Sequence, residues 1–331
     1  MRQRKPANID ATFELFHAPI VDNAHAVKGV WKRTFMPKAS ALHLDLGCGK
    51  GDFIVAAAQK WPQVLFVGID NSKVCIARTA QKVVEQNVRN VRLICADAAE
   101  IDTFFEPGEI SQIYLNFNSP FPKKKHAEKR LTHLHYLEKY RALLGSAGLL
   151  EMRTDNIAYW KFSLVELEIA GFSITEKTDD LHQDAALFNA VIAGEYDART
   201  TKRGAHVHFL RAVPAQKPQT YIQTDKLGLC EYLPHDIENF EEIPYGMEDT
   251  VANMRNRRAN ERRRQERKAA EEAEAAAIKA VAGEAEGVTK EAKAEAVAGE
   301  AAAGEAVARE SAAEAAKSEA TVRETEAVKE V

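Results

Sequence analysis

Two kinds of hydrophobic pattern alternate along the first two thirds of the chain, and they divide it into strands and helices. Short apolar runs predict buried strands, and these runs lie at 41–46, 64–69, 91–95, 112–117, 147–153, 172–178 and 206–213. Apolar residues spaced three and four positions apart predict helices, and this spacing occurs at 50–60, 73–86, 127–144 and 156–170.

The order of these elements predicts the fold class. Strands that alternate with helices form a parallel sheet with helices on both faces. The last two strands are separated by about 28 residues without a full crossover helix, so we expect them to pair antiparallel at one edge. The sequence therefore predicts a doubly wound α/β fold with a mostly parallel, seven-stranded sheet.

The composition changes sharply toward the C-terminus. Tyr245 is the last aromatic residue, and residues 255–268, the basic block, contain eight basic and two acidic residues. Residues 271–331 hold 15 Glu and seven Lys or Arg, so the net charge of −4 combines a mildly basic body with an acidic tail. The tail is too poor in large apolar residues to form a core, which predicts a low-complexity segment that is helical or disordered.

These features predict four regions. They are a basic N-terminal arm with a lead-in helix at 1–40, a ligand-binding α/β domain at 41–215, an extension at 216–254, and the basic block with the acidic tail at 255–331.

Composition also bears on the compartment. The four cysteines form no CxxC pair, so we expect buried free thiols and no metal site. The sequence shows neither a secretory signal nor a run of about 18 apolar residues. A cytoplasmic protein without a membrane span is expected.

Glycines and carboxylates at the ends of predicted strands indicate a cofactor site. The candidates are Asp45, Gly47, Gly49, Gly51, Asp70 and Asp97. The glycines follow a strand as G-x-G-x-G, whereas dinucleotide-binding folds use G-x-G-x-x-G. A carboxylate at the end of the second strand suits ribose hydroxyls, and the next one suits an adenine amino group. Together they favour S-adenosylmethionine over a nicotinamide dinucleotide.

A second polar segment follows the fourth predicted strand. Residues 116–122 read Asn-Phe-Asn-Ser-Pro-Phe-Pro, where two prolines predict an irregular turn. Five cations then occur within residues 123–130. Beside a ligand cleft, such cations indicate contact with phosphates of a nucleic acid.

At this point the sequence resembles a known family, the bacterial tRNA (guanine-N7-)-methyltransferases. The resemblance covers about residues 1–213, with many matching segments in the same order. They are MRQRK at the start, LDLGCGKG at 44–51, GID at 68–70, residues 116–126, RLT at 130–132, TDN at 154–156, DLH at 180–182 and EYD at 195–197.

The resemblance implies a class I methyltransferase fold, S-adenosylmethionine as methyl donor, and transfer to N7 of guanosine 46 in the tRNA variable loop. It implies cofactor contacts at Asp45, Asp70 and Asp97. It also implies substrate contacts at Lys123, Asp155, Gly194, Glu195, Tyr196 and Asp197.

This chain departs from the family pattern at two places. Gly194 and Asp197 replace the ends of a Thr-x-x-Glu segment, and Ser119 replaces the Asp of an Asp-Pro-Trp-Pro run. The resemblance assigns that Asp a catalytic or cofactor role, which makes Ser119 the candidate catalytic position. Asp155, Glu195 and Asp197 remain as carboxylates for the guanine.

Two alternatives stay open at this stage. Asn118-Ser119-Pro120-Phe121 partly resembles the Asn-Pro-Pro-Phe signature of amino-group methyltransferases. With Ser119 in place of Asp, the chain is alternatively a tRNA- and cofactor-binding protein with weak turnover. The sequence does not decide between a monomer and a homodimer.

Overall fold

A seven-stranded sheet is the centre of the fold. The structure, a computed structural model, describes residues 8–192, 200, 205–216, 227–240 and 243–327. The strands are β1 (Ala41–Leu46), β2 (Val64–Asp70), β3 (Val91–Cys95), β4 (Gln112–Asn116), β5 (Leu149–Thr154), β6 (Phe172–Thr178) and β7 (His208–Pro214). Their order across the sheet is β3-β2-β1-β4-β5-β7-β6.

The pairing confirms the predicted fold class. Strands β1 to β5 run parallel to their neighbours. Strand β7 pairs antiparallel with both β5 and β6, as expected for the last two strands. The sheet is therefore mostly parallel with an antiparallel edge.

Helices cover both faces of the sheet. The helices of the sheet domain are α1 (Ile9–Leu15), α2 (Trp31–Phe35), α3 (Asp52–Lys60), α4 (Lys73–Glu85), α5 (Ile101–Phe104), α6 (Leu134–Leu144), α7 (Ile157–Ile169) and α8 (Ala185–Ala190). A further helix, α9 (Glu248–Ala327), follows later in the chain. Leu44 of β1 packs in the core with α6 and α7. Phe66 of β2 packs on the other face with α3 and α4. The alternation of side chains along each strand thus builds one core on each face.

The helix predicted from residue 127 begins later than expected. A 3-10 helix covers Lys124–Lys129, and α6 starts only at Leu134. Arg130 is fully buried and extended, and it turns inward to bond backbone carbonyls. The Leu134 amide donates to Glu166 Oε2 of α7 at 2.7 Å. Contacts with distant segments therefore override the local helical pattern.

The described chain separates into two compact units, residues 1–255 and 256–331. In the first unit, the described residues 227–240 and 243–255 pack onto the sheet domain, where Leu229, Met247 and Val251 are fully buried. In the second unit, every described side chain from 260 to 318 is exposed. Among the described residues, no helix combines the length and the apolar character that crossing a membrane requires.

The expectation of four buried thiols is wrong for two of them. All four cysteines are free, and Cys48 and Cys75 are buried, but Cys95 and Cys230 are exposed. Cys95 ends β3 at the sheet edge, and Cys230 lies in a 3-10 helix of the extension. A residue at the end of an edge strand or in a short 3-10 helix can be exposed even when its neighbours in the sequence are apolar.

Candidate functional site

The predicted site residues meet at one edge of the sheet. Because β1 to β5 are parallel, their carboxyl ends lie at the same edge. The glycine-rich loop at 47–51 follows β1, Asp70 ends β2, and Asp97 follows β3. The segment with Ser119 and Lys123 follows β4, and Asp155 follows β5. Open α/β sheets bind ligands in this position.

At two positions of the glycine-rich loop, no residue other than glycine fits. Gly47 has φ of +72°, and a Cβ there would lie 2.6 Å from Asn118 Nδ2. Gly51 has φ of +82° at the start of α3, and its Cβ would lie 2.5 Å from Thr79 Cγ2. Both the backbone conformation and the lack of space therefore exclude a side chain. The loop therefore passes close to the residues around it, and the amides of Gly47 and Cys48 both donate to the Ile69 carbonyl of β2, at 2.8 and 3.2 Å.

Asp70 holds this loop in place. Its Oδ2 accepts a hydrogen bond from the Gly49 amide at 3.0 Å, and its Oδ1 accepts one from the Ser72 amide at 2.8 Å. Burial raises the pKa of Asp70, while the hydrogen bonds from Ser72 and Gly49 lower it. Each carboxylate oxygen has a further lone pair, so Asp70 can still accept from a ligand's hydroxyl groups.

Asp45 is a buried carboxyl group whose hydrogen-bonding capacity is incompletely used. Its side chain is 1% exposed, and Oδ2 has no hydrogen-bond partner among the described residues. Burial raises its pKa from 3.8 to about 7, although Arg153 and the Asn116 side chain act in the opposite direction. Such a group would be stabilised by a cationic donor placed against it.

Arg153 is a residue of the site that the sequence reasoning missed. It is 1% exposed and donates from Nε to Asn116 Oδ1 at 2.9 Å, and from an η nitrogen to the Ile192 carbonyl at 2.7 Å. Its guanidinium lies 4.9 Å from the centre of the Phe53 ring. The feature of the sequence that could have indicated it is the position of this arginine, at the end of the apolar run predicted as the fifth strand.

The loop after β4 has an unusual backbone. Phe117 and Phe121 have φ of +50° and +45°, values that side-chain-bearing residues seldom adopt. Between them, Asn118 donates from Nδ2 to the Leu46 carbonyl at 2.8 Å, and its buried Oδ1 lacks a partner within the described chain. Ser119 is exposed. The predicted irregular turn is therefore present, and it places a second unused acceptor beside the glycine-rich loop.

The cation run after this loop serves two different purposes. The four lysines are exposed, as contact with phosphate requires; they are Lys123, Lys124, Lys125 and Lys129. Arg130 contradicts the expectation, because it is 0% exposed.

Arg130 fastens the loop to the extension. It donates to the carbonyls of Pro120 at 3.0 Å, Phe121 at 2.8 Å and Leu227 at 2.7 Å. Its guanidinium stacks 4.4 Å from the Phe162 ring centre. Burial lowers its pKa to about 10, while nearby Tyr159 and Glu166 oppose the shift. Arg130 is therefore a structural residue within a segment that otherwise presents cations to solvent.

Two further candidates, Asp97 and Asp155, lie at the same edge. Asp97 is exposed, and its Oδ1 accepts from the Ala99 amide at 2.9 Å. Asp155 is half-buried between β5 and α7. The candidates Gly194, Glu195, Tyr196 and Asp197 lie outside the described residues. Within the described parts of the chain, no group of three or more His, Cys, Asp or Glu side chains could hold a metal ion.

Taken together, the geometry fits a ligand with a cationic donor and hydroxyl groups. Asp45 and Asn118 offer buried acceptor oxygens at one end of the glycine-rich loop, and Asp70 stands on its other side. An ammonium group would satisfy these acceptors and favour the ionised form of Asp45.

Known proteins with similar sequences are methyltransferases by name. A family model described as putative methyltransferase matches residues 39–210. A tRNA (guanine-N(7)-)-methyltransferase of Limosilactobacillus reuteri (strain DSM 20016) is 34% identical over 193 residues, which cover 58% of this chain and 90% of the relative. The enzyme of that name from Streptococcus uberis is 32% identical over 212 residues, with 64% and 99% covered. The one from Bacillus subtilis (strain 168) is 34% identical over 188 residues, with 57% and 87% covered.

Proposed function

The chain belongs to the family of tRNA (guanine-N(7)-)-methyltransferases, and from this premise we propose that it methylates N7 of a guanosine in the variable loop of tRNA, at position 46. The strand order with antiparallel β7 is that of a class I methyltransferase. The observation that carries the proposal is the unpartnered buried oxygen of Asp45 beside a loop that only glycine can form.

S-adenosylmethionine, when bound, supplies an electrophilic methyl group on a sulfonium. Its ammonium group fits the unused acceptors, so Asp45 and Asn118 would hold the amino-acid end. Asp70 would accept from the ribose hydroxyls through the lone pairs that the loop amides leave available. Exposed Asp97, at the end of the neighbouring strand, would accept from the adenine amino group.

The proposed reaction does not require the protein to act as a general acid or base. Guanine N7 carries a free lone pair, so no proton has to leave before it attacks a methyl group. The base gains positive charge as the bond forms, and the site must align the reactants and stabilise that charge. The half-buried Asp155 is the described carboxyl group proposed to face the guanine. Glu195 and Asp197 are proposed to accept from its N1–H and amino group. Ser119 occupies the position where the family has a further carboxylate.

The exposed lysines after β4 are proposed to bind the RNA backbone. Lys123 directly precedes the 3-10 helix that contains Lys124, Lys125 and Lys129, and all four side chains reach solvent. Contacts of this kind position a nucleic acid without reading its sequence. They would hold the variable loop over the cleft while the carboxylates recognise the base.

Product analysis tests this proposal. The purified chain is incubated with an unmodified tRNA transcript and S-adenosylmethionine, and the RNA is then digested to nucleosides. We expect N7-methylguanosine as the methylated product. An N6-methyladenosine or another methylated amine would identify an amino-group methyltransferase instead. Binding of tRNA without any methylated nucleoside would identify a binding protein.

A further inference from the structure

The basic block on α9 is a feature that the methyl-transfer site does not use. Its cations beyond Arg255 belong to the second compact unit, and the described side chains from 260 to 318 are exposed to solvent. Arginine predominates there, since seven of its eight cations are Arg, whereas five of the seven cations in residues 271–331 are Lys. The planar guanidinium donates two parallel hydrogen bonds to a phosphate, which an ammonium group cannot do.

The arrangement of these cations around the helix indicates the shape of the partner. Arg262, Arg263 and Arg264 are consecutive, so they project about 100° apart around the helix axis. Arg257 adds a fourth exposed cation one and a half turns earlier. Cations that surround a helix suit a cleft with phosphates on more than one side, as a folded RNA provides, better than a flat anionic surface.

Ion pairs within α9 involve the C-terminal end of the basic block. Arg267 and Lys268 pair with Glu271 at 3.2 Å and Glu272 at 3.6 Å. No ion pair engages Arg257 or Arg262 to Arg264 within the described residues. These four arginines therefore remain free to meet an external anion.

The composition argues against a lipid surface. Between residues 255 and 268 the largest apolar side chain is that of Ala259. A helix that lies on a membrane needs an apolar face to insert. The block has none, so a phosphate-rich polymer in water is the partner that its chemistry fits.

We infer that the basic block is a second RNA-binding element, separate from the methyl-transfer site, which holds tRNA through its phosphates. The inference rests on the proposed function in that tRNA is taken as the RNA. It predicts that the block contributes to tRNA affinity and to KM, but not to the rate at saturating tRNA.

The test compares two full-length variants that each lose four cations from α9. One carries Arg257→Gln, Arg262→Gln, Arg263→Gln and Arg264→Gln. The matched control carries Lys279→Gln, Lys290→Gln, Lys293→Gln and Arg309→Gln, which removes the same charge from exposed positions in the acidic tail. Glutamine is a good helix former, so both variants should keep the helix.

Binding of tRNA is measured at several salt concentrations, together with steady-state methylation. In the first variant we expect KM to rise on the order of tenfold, with kcat unchanged. The slope of log affinity against log salt should fall by about one for each arginine that contacts a phosphate, up to about four. The control should retain the wild-type slope.

Other results of these measurements would overturn the inference, reassign the block to another partner, or separate the inference from the proposed function. Equal changes in both variants, or none in the first, would overturn the inference. Loss of binding to vesicles containing phosphatidylserine, with tRNA binding intact, would reassign the block to membranes. If the wild-type chain makes no N7-methylguanosine but its tRNA binding depends on the four arginines, the proposed function fails while the RNA-binding element stands.

Discussion

Asp45 is a carboxyl group that the fold keeps away from water at the start of the glycine-rich loop. Its pKa rises from 3.8 to about 7 because burial penalises the charged form. A raised pKa means that the free folded protein holds this proton more tightly than the unfolded chain. The associated stability is complete below about pH 4 and is lost as pH rises through about 7.

Binding of the cofactor should reverse this preference and produce a measurable pH dependence. If the ammonium of S-adenosylhomocysteine meets Asp45, the ionised form is favoured, and affinity should rise by up to about tenfold per pH unit below pH 7. Calorimetric titrations between pH 5.5 and 7.5 measure this. Asp45→Asn is the control, because it cannot ionise, and it should lose the dependence. Identical pH profiles for both proteins would remove Asp45 from the cofactor contacts.

Ser119 is the position at which the resemblance to the family implies a carboxylate. If a carboxylate there stabilises the charge that develops on the base, Ser119→Asp should preserve the single-turnover rate or raise it on the order of tenfold. Asparagine has nearly the same shape as aspartate but no charge, so Ser119→Asn should not raise the rate. Abolished transfer in Ser119→Asp alone would show that the site is built around serine and that another carboxylate supplies the charge.

Local sequence identified some site residues and could not identify others. The glycine-rich loop and the candidate acids near the carboxyl ends of β1, β2 and β3 are visible because turn chemistry and strand ends are local features. Arg153 and Arg130 differ, since their partners lie 37 and 97 positions away at Asn116 and Leu227. From the sequence, Arg153 is an isolated charge at the end of a strand, and Arg130 is one of several cations expected to contact phosphate. Neighbouring residues in the sequence do not reveal their distant partners.

The described part of the extension, at 227–240 and 243–254, supports the site from outside the sheet. The Leu229 amide donates to the Pro122 carbonyl at 3.1 Å, and Asn156 Nδ2 donates to the Tyr245 carbonyl at 2.8 Å. A Cβ at Gly246 would lie 2.8 Å from Pro120. The extension therefore packs directly on the loop after β4, and Arg130 joins the two.

Replacing Arg130 should destabilise this assembly. Arg130→Met keeps much of the side-chain volume but leaves several buried carbonyls without a donor, and we expect a loss of about 3 kcal/mol in the free energy of unfolding. Urea denaturation measures it. The neighbouring Lys129 is exposed, so Lys129→Met should change stability by less than about 0.5 kcal/mol. Equal effects of the two substitutions would contradict the structural role of Arg130.

Elements were predictable where apolar periodicity was long. All seven strands were found within two residues of their observed ends, as were the starts and ends of α3, α4 and α7. The start of α6 was misplaced by seven residues because Arg130 and the Leu134 amide follow tertiary partners. In the extension, Leu229–Tyr232 and Ile237–Asn239 form short 3-10 helices, and elements of so few residues show no periodicity to recognise.

At the scale of the whole molecule, the sheet domain and the tail form separate units with different compositions. Among the described residues, Val251 is the last fully buried apolar one, and the described side chains from 260 to 318 contribute nothing to a core. Deletion of residues 270–331 should therefore leave the urea midpoint and the single-turnover rate unchanged. Deletion of residues 248–331 also removes Val251 and should lower the midpoint. A loss of transfer in the shorter deletion would show that the tail participates in the site.

Mapping the methyl group tests the central claim most directly. The wild-type chain is reacted with an unmodified tRNA transcript under single-turnover conditions, and the RNA is cleaved chemically at N7-methylguanosine. The account predicts one cleavage, at guanosine 46 in the variable loop, and none in a transcript with adenosine at that position. Cleavage elsewhere in both transcripts, or a methylated nucleoside other than N7-methylguanosine, would contradict it.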